Sequence, residues 1–405
     1  MLEIKPIISA LFRSKAGAIL LLLQIAITVA IVSNAAFIIK DRVQYLQQDT
    51  GYPEDEIFGF AINTFGQPES IVQLLLQTQE TIRNIPGVVS ASLIREIPLS
   101  GSGSSSGFSI LPMSQRDSDD YRSVRTAFTG GDASIFATLG LEISEGRNFM
   151  PSEVQLTDDP TVLPKVVVVS RHYLNELYPE GDGLGKQLYI GNDPVTIIGV
   201  VENMKGPWLK DDDVDNFSIF PNIELSPFQK FVVRTRADDR AQVMGQIEQI
   251  LLDEYEERVI MSLTSMDDAK AEYNAADVLM LRMLVVLIVV LVLITALGIF
   301  GMTVFNISKR TKQIGTRRAL GARKSAIVRY FLVENGIVCA AGLVLGSIAA
   351  VYLGNLMMQE FSVPALDYSY IAMTAVGVLA MSLLSVLLPA NRAANISPSI
   401  ATRSI

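Results

Sequence analysis

One cysteine and one histidine among 405 residues exclude a disulfide scaffold and leave no Cys/His cluster for a metal ion. Cys339 lies inside a long apolar run, so any domain outside the membrane must be held by a hydrophobic core. His172 stands alone on what reads as a surface helix and is read as an ordinary solvated side chain. No phosphate-cradling loop is legible. At Gly185-Lys186 the first glycine of such a loop is replaced by Glu180, and its Ser or Thr by Gln187. Serines are plentiful, but none is read as a nucleophile. Charge is absent too: residues 16–39, 283–305, 335–358 and 370–388 contain no Asp, Glu, Lys, Arg or His. Buried ionisable groups mark ion and proton pathways in transporters, so these runs carry no such pathway. Gln24, Thr28, Ser33 and Asn34 read as helix–helix hydrogen-bonding partners.

Each uncharged run has the length of a bilayer-crossing helix, about 20 residues for a core about 30 Å thick. Four transmembrane helices are therefore expected. The flanking segments 1–15, 306–334 and 389–405 together hold 13 basic and two acidic residues, whereas 40–282 holds 20 basic and 38 acidic ones. The positive-inside rule then puts both termini and the 306–334 loop in the cytoplasm of a bacterial inner membrane, and 40–282 outside. The pI of about 4.9 argues against nucleic acid as a partner. Ser33-Asn34-Ala35 resembles a cleavage site, but an apolar stretch of 24 residues exceeds the roughly 7–15 of a signal peptide, so an uncleaved helix is expected. Ahead of it, Ile4, Ile7, Ile8, Leu11 and Phe12 recur at helical spacing opposite Lys5 and Arg13, which predicts an amphipathic helix over 1–15 on the inner surface.

The expected fold class is thus an α-helical membrane domain with four transmembrane helices plus an α/β extracytoplasmic domain of two subdomains. In that domain 58–62 reads as strand, 71–84 as helix and 88–94 as strand, with a break at Ile85-Pro86-Gly87. The order recurs at 231–236, 241–254 and 259–263. Two βαβ units predict a ferredoxin-like sandwich built from distant parts of the chain. Between them, strands at 166–170, 187–190 and 195–201 and a helix at 171–177 predict a small β-rich insert. The Gly/Ser run 101–107 reads as a flexible loop. In the third span Gly342, Gly346, Ala350 and Gly354 recur every four residues, a ladder of small side chains that admits a neighbouring helix closely, whether of this chain or another. In the cytoplasmic loop Ile314 and Leu320 are apolar anchors in a basic helix that Gly321 stops. Anchors of that kind dock in grooves; eight basic residues could equally hold topology and touch anionic lipid.

Residues 305–324 (FNISKRTKQIGTRRALGARK), 331–335 (FLVEN) and 389–398 (PANRAANISP) closely resemble the corresponding segments of ABC-transporter permeases of the MacB/FtsX superfamily. In the outer domain 85–88 (IPGV), 139–147 (LGLEISEGR), 185–188 (GKQL) and 198–201 (IGVV) resemble the MacB-like periplasmic domain. The order of span, outer domain and three spans matches as well. The resemblance implies a permease working as a dimer, homodimeric or paired with a paralogue, with cytoplasmic ATPase subunits that bind ATP-Mg. It implies a coupling helix over Ile314, Gly315, Arg317, Arg318, Ala319, Leu320, Gly321 and Ala322 that docks on the ATPase, and an outer domain that mobilises or expels an extracytoplasmic substrate. A periplasmic adaptor is a further implied partner. MacB carries its ATPase on the same chain; here the first span begins near residue 16, so a separate ATPase and no enzymatic activity of this chain are expected. The superfamily also implies lipoprotein release or control of a cell-wall hydrolase as alternatives, the latter disfavoured by the 243 residues of 40–282. A membrane sensor or scaffold without a transport cycle is the reading from another class.

Overall fold

The computed structural model describes residues 15–66, 68–157, 162–361 and 365–396. The amphipathic helix expected over 1–15 and the end of the tail lie outside them. The chain divides into two compact units, 48–275 and the helical remainder.

The first helix, α1 (Lys15–Leu46), is unbroken and carries Ser33, Asn34 and Ala35 in its interior. In hydrocarbon an unpaired backbone amide costs several kcal/mol, so an apolar run of this length can only be helical.

The α/β unit opens with β1 (Ile57–Thr64), α2 (Ile71–Arg83) and β2 (Val88–Ile94). Ser70 caps α2 by accepting from the Gln73 amide at 3.3 Å. After Ile85-Pro86 the chain turns at Gly87, whose φ of +97° disfavours a side chain and where a Cβ would stand 2.9 Å from Asp239 Cβ. Then come β3 (Ser104–Ser109), β4 (Ser123–Gly130), α3 (Ile135–Leu139), β5 (Ile143–Gly146), β6 (Gln155–Thr157), β7 (Val166–Ser170), α4 (Arg171–Leu177), β8 (Gln187–Ile190), β9 (Asp193–Val201), β10 (Phe217–Phe220) and β11 (Asn222–Glu224). The unit closes with β12 (Phe228–Thr235), α5 (Arg240–Glu254), β13 (Arg258–Ser265) and α6 (Met266–Tyr273).

The two βαβ units interleave as one four-stranded sheet in the order β13-β1-β12-β2, the arrangement of a ferredoxin-like split βαβ. Phe58, Phe60, Phe231 and Val233 on one face meet Leu75 and Ile82 of α2 and Val243, Ile247 and Leu251 of α5. Behind them Arg258, whose side chain is 1% exposed, pairs with Glu254 at 3.1 Å, while Thr78 and Thr81 of α2 donate to the two Glu254 oxygens at 2.8 and 2.6 Å. Burial pulls the Arg258 guanidinium below its usual value and Glu254 opposes that pull.

The second subdomain is larger than the insert expected over 166–201. Its sheet runs β5-β9-β7-β10-β4-β3-β8, and β8 also pairs with β9, so six strands close on themselves around Phe108, Val167, Val169, Leu188, Ile197 and Phe220. The flexible loop expected over 101–107 is corrected here. Residues 104–107 belong to β3, paired with β4 from Ser104↔Phe128 to Ser109↔Ser123. Gly101 is fixed as well: its amide donates to the Pro207 carbonyl at 3.0 Å and its carbonyl accepts from Trp208 Nε1 at 3.1 Å. Residues 103–107 also have Gly-x-Ser-x-Gly spacing, which makes a nucleophile elbow only on a strand-to-helix turn. Ser105 lies within β3 and accepts from Arg125 at 3.2 Å, so it is a sheet residue.

The helical unit is completed by α7 (Ala275–Lys309), α8 (Thr311–Ala319), α9 (Lys324–Phe361) and α10 (Tyr368–Ala394). By length and composition α1, α7, α9 and α10 are each able to cross a membrane. They extend past the uncharged runs: at 1.5 Å per residue α7 is about 52 Å long, more than a bilayer core.

Candidate functional site

The short α8 joins α7 to α9 and carries the basic stretch. Its start is a break at Arg310 (φ −109°, ψ 11°). Its end is a glycine stop at Gly321, φ +89°, where the Gly321 amide donates to Arg318 O at 3.1 Å and the Ala322 amide to Arg317 O at 3.0 Å. This pair of bonds is a Schellman motif, which only a residue tolerant of positive φ closes cheaply.

The structure separates the two expected anchors. Ile314 is 6% exposed and packs into the helical core with Ile327 and Phe331 of α9; Gly315 beside it is buried. Leu320 is 83% exposed. Six residues apart on a helix is 600°, so two such side chains point to different sides. Ile314 therefore fastens α8 to its own bundle, and Leu320 is the apolar side chain offered outward. Arg317 and Ala319 are exposed beside it. Arg318 is half-buried, its guanidinium bonded to Ala322 O at 2.9 Å. The solvent face of α8 is thus one apolar projection ringed by cations.

Sequence reading missed two residues here. Glu334 of α9 is buried and accepts from Arg310 at 2.8 Å, and Tyr330, one turn earlier, lies under both Arg310 and Arg317. The signal was available: Glu334 is the sole acid in the 306–334 stretch.

The small-residue ladder of α9 faces α1 of the same chain. A Cβ at Gly342 would stand 2.9 Å from Ile25 Cβ, and one at Gly346 would stand 2.8 Å from Ala26 O and from Val29 Cβ. Ala350 is fully buried and its carbonyl accepts from Asn34 Nδ2 at 3.0 Å. At Gly354 a Cβ would meet Asn34 Oδ1 at 3.1 Å. With Asn34, two more polar residues of α1 are helix–helix partners: Thr28 bonds Thr295 of α7 at 2.7 Å and Gln24 donates to Ile294 O at 2.9 Å; the expectation fails at Ser33, whose Oγ is buried without a hydrogen-bond partner among the described residues.

Among the described residues, four apolar helices, with a large α/β unit inserted after the first and a basic helix between the second and third, make up a multispan membrane protein whose soluble domain interrupts the run of spans. Residues 18–250 match the family model of the MacB-like periplasmic core domain, and residues 285–398 that of the FtsX-like permease C-terminal. The chain belongs to the MacB/FtsX family of permeases. Among curated relatives it is 26% identical over 298 residues to the macrolide export ATP-binding/permease protein MacB of Shewanella sp. (strain W3-18-1), covering 68% of this chain and 43% of that protein. To MacB of Neisseria meningitidis serogroup A it is 23% identical over 406 residues, covering 96% of this chain and 59% of that protein. The probable syringafactin export ATP-binding/permease protein SyfD of Pseudomonas syringae is 25% identical over 296 residues, 69% of this chain and 43% of that protein. The chain thus spans less than two thirds of the length of these relatives. Solved structures similar to it include the periplasmic region of MacB from Actinobacillus actinomycetemcomitans, at TM-score 0.34 and 14% identity over 56% of this chain and 97% of that one. The extracellular domain of the ABC-type transporter YknZ from Gram-positive bacteria follows at TM-score 0.31 and 14% identity, over 50% of this chain and all of that one.

Proposed function

We propose that this chain is the membrane-spanning subunit of an ABC transporter in a bacterial inner membrane, with both termini and α8 on the cytoplasmic side. A cytoplasmic ABC ATPase, which residues 1–405 do not contain, docks on α8 and binds ATP-Mg. A second permease copy, identical or paralogous, completes the assembly, and a periplasmic adaptor extends it. Cycles of ATP binding move the helices and, through them, the α/β unit, which mobilises or expels a substrate on the far side of the membrane. The names of the relatives, macrolide export and probable syringafactin export, support an exported cargo. Family membership supports the ATPase partner.

One observation carries the reading. Leu320 is an exposed apolar side chain at the end of a helix that Ile314 packs against the bundle. A topology signal requires positive charge alone; a dock requires a presented shape. Leu320→Asp leaves every cation in place and puts a carboxylate into the docking groove. It is expected to insert normally and to lose capture of the ATPase in mild-detergent pull-down, while Lys312→Gln retains capture. Full capture by Leu320→Asp would sink the docking role.

A further inference from the structure

Glu334 is 5% exposed and faces the joint between α7 and α8. Its Oε2 accepts from Arg310 Nη1 at 2.8 Å, and Arg310 is the single non-helical residue of that joint. The same guanidinium donates to Tyr330 Oη at 3.1 Å. Arg310 and Arg317, seven residues and hence two turns apart on one face, stand 5.9 and 5.4 Å from the centre of the Tyr330 ring. The next residue along α9, Asn335, donates to Ser382 Oγ of α10 at 2.6 Å. Adjacent residues of α9 thus hold the α7–α8 joint on one side and α10 on the other.

Stability alone does not account for this pair. Two charges taken out of water recover little net energy, and a well-packed apolar pair of the same volume holds helices together as well or better. Among the described residues Glu334 Oε1 is buried with no protein partner, a further cost. The best-attested use of a buried ion pair is to fix one register between two elements. The apolar contacts of Ile314 with Ile327 and Phe331 are non-directional and tolerate sliding; a charge-assisted bond at a joint does not.

We propose that the Arg310–Glu334 pair is the positioning contact that makes α8 and α9 move as one body, so that force applied to α8 reaches α9 and α10 instead of being absorbed by bending at residue 310. The proposal rests on the reading of α8 as the ATPase dock and names the residues through which that dock acts.

The test uses the full chain with the ATPase that co-purifies with it, in lipid nanodiscs. Cys339→Ala removes the native thiol, and Ser118→Cys places a spin label on an exposed residue of the α/β unit. The label-to-label distance across the two copies is read with and without ATP and vanadate. Glu334→Gln keeps the shape and one acceptor, while Arg310→Glu with Glu334→Arg reverses the pair. The parent is expected to shift distance on trapping. Glu334→Gln is expected to capture the ATPase and hydrolyse ATP but lose the shift, and the reversed pair to regain it. A Glu334→Gln complex with the parent's shift overturns the proposal, as does a reversed pair that captures the ATPase and stays still. Should Glu334→Gln fail to assemble, the reversed pair decides alone. A parent that captures no ATPase, or shows no shift, instead sinks the docking reading, so the two failures appear in different samples.

Discussion

Ile314 and Leu320 are chemically alike and only six positions apart, yet they occupy opposite situations. The first fills a space between α8 and α9, and the second stands in solvent at the C-cap of α8. Their substitutions should therefore fail in different ways. Ile314→Asp buries an unpaired carboxylate in an apolar core, at a cost of about 3 kcal/mol or more. It should lower the yield of folded protein and the melting temperature in detergent, whether or not an ATPase is present. Leu320→Asp exposes its charge and should melt with the parent while losing the partner. If both variants melt like the parent, Ile314 does not anchor α8. Sequence marked both as anchors because apolar residues in a basic stretch are conspicuous. It could not divide their roles, since that depends on which side of α8 meets Ile327 and Phe331, and α9 has its own phase. Glu334 shows the converse: its isolation among cations was visible, but its meaning required Arg310 to be placed 24 residues away and 2.8 Å distant.

At the scale of elements, legibility followed the strength of the local signal. The four long helices declare themselves because hydrocarbon leaves the backbone no other conformation, and the two βαβ units because strand and helix periods differ. The strand at 104–109 gave no such signal. Serine and glycine are poor strand formers, and their place in the sheet comes from β4 and β8 on either side, a case of context overriding propensity. The ladder of α9 was legible as a period of four small residues, but the identity of its partner was not, because a helix face does not name what covers it. The contact with Ile25, Ala26 and Val29 of α1 now makes a sharp prediction. Gly346→Leu should force α1 and α9 apart, at about 1–3 kcal/mol for an overpacked interface, read as a lower melting temperature and a weakened disulfide cross-link between cysteines placed on α1 and α9. Gly336→Ala, where a Cβ meets nothing within 4 Å, should leave both unchanged. If Gly346→Leu matches the parent, the close approach of α1 and α9 is not what holds the bundle.

For the whole molecule the governing quantity is where the charges lie. The α/β unit is held by its own cores, without disulfides, and its 36 acidic and 17 basic residues give it a net charge of −19, against −9 for the whole chain. The helices' other ends carry the cations, with α8 the densest group. A translocating chain retains Lys and Arg on the cytoplasmic side, and short loops obey that bias while long domains cross largely regardless of it. On the proposed orientation the 228 residues of the α/β unit follow α1 outward, and the short, cationic α8 stays inside. The proposed orientation puts Ser118 outside and Ser308 inside. Each is exposed in its own unit, so a cysteine at either is open to reagent wherever the solvent is. In a Cys339→Ala background Ser118→Cys should react with a membrane-impermeant maleimide in cells whose outer membrane, if present, is permeabilised. Ser308→Cys should react only after the inner membrane is broken. Labelling of Ser308→Cys in intact cells would reverse the orientation. It would place α8 and its Leu320 projection where no cytoplasmic ATPase can reach them, removing the physical basis of the docking proposal.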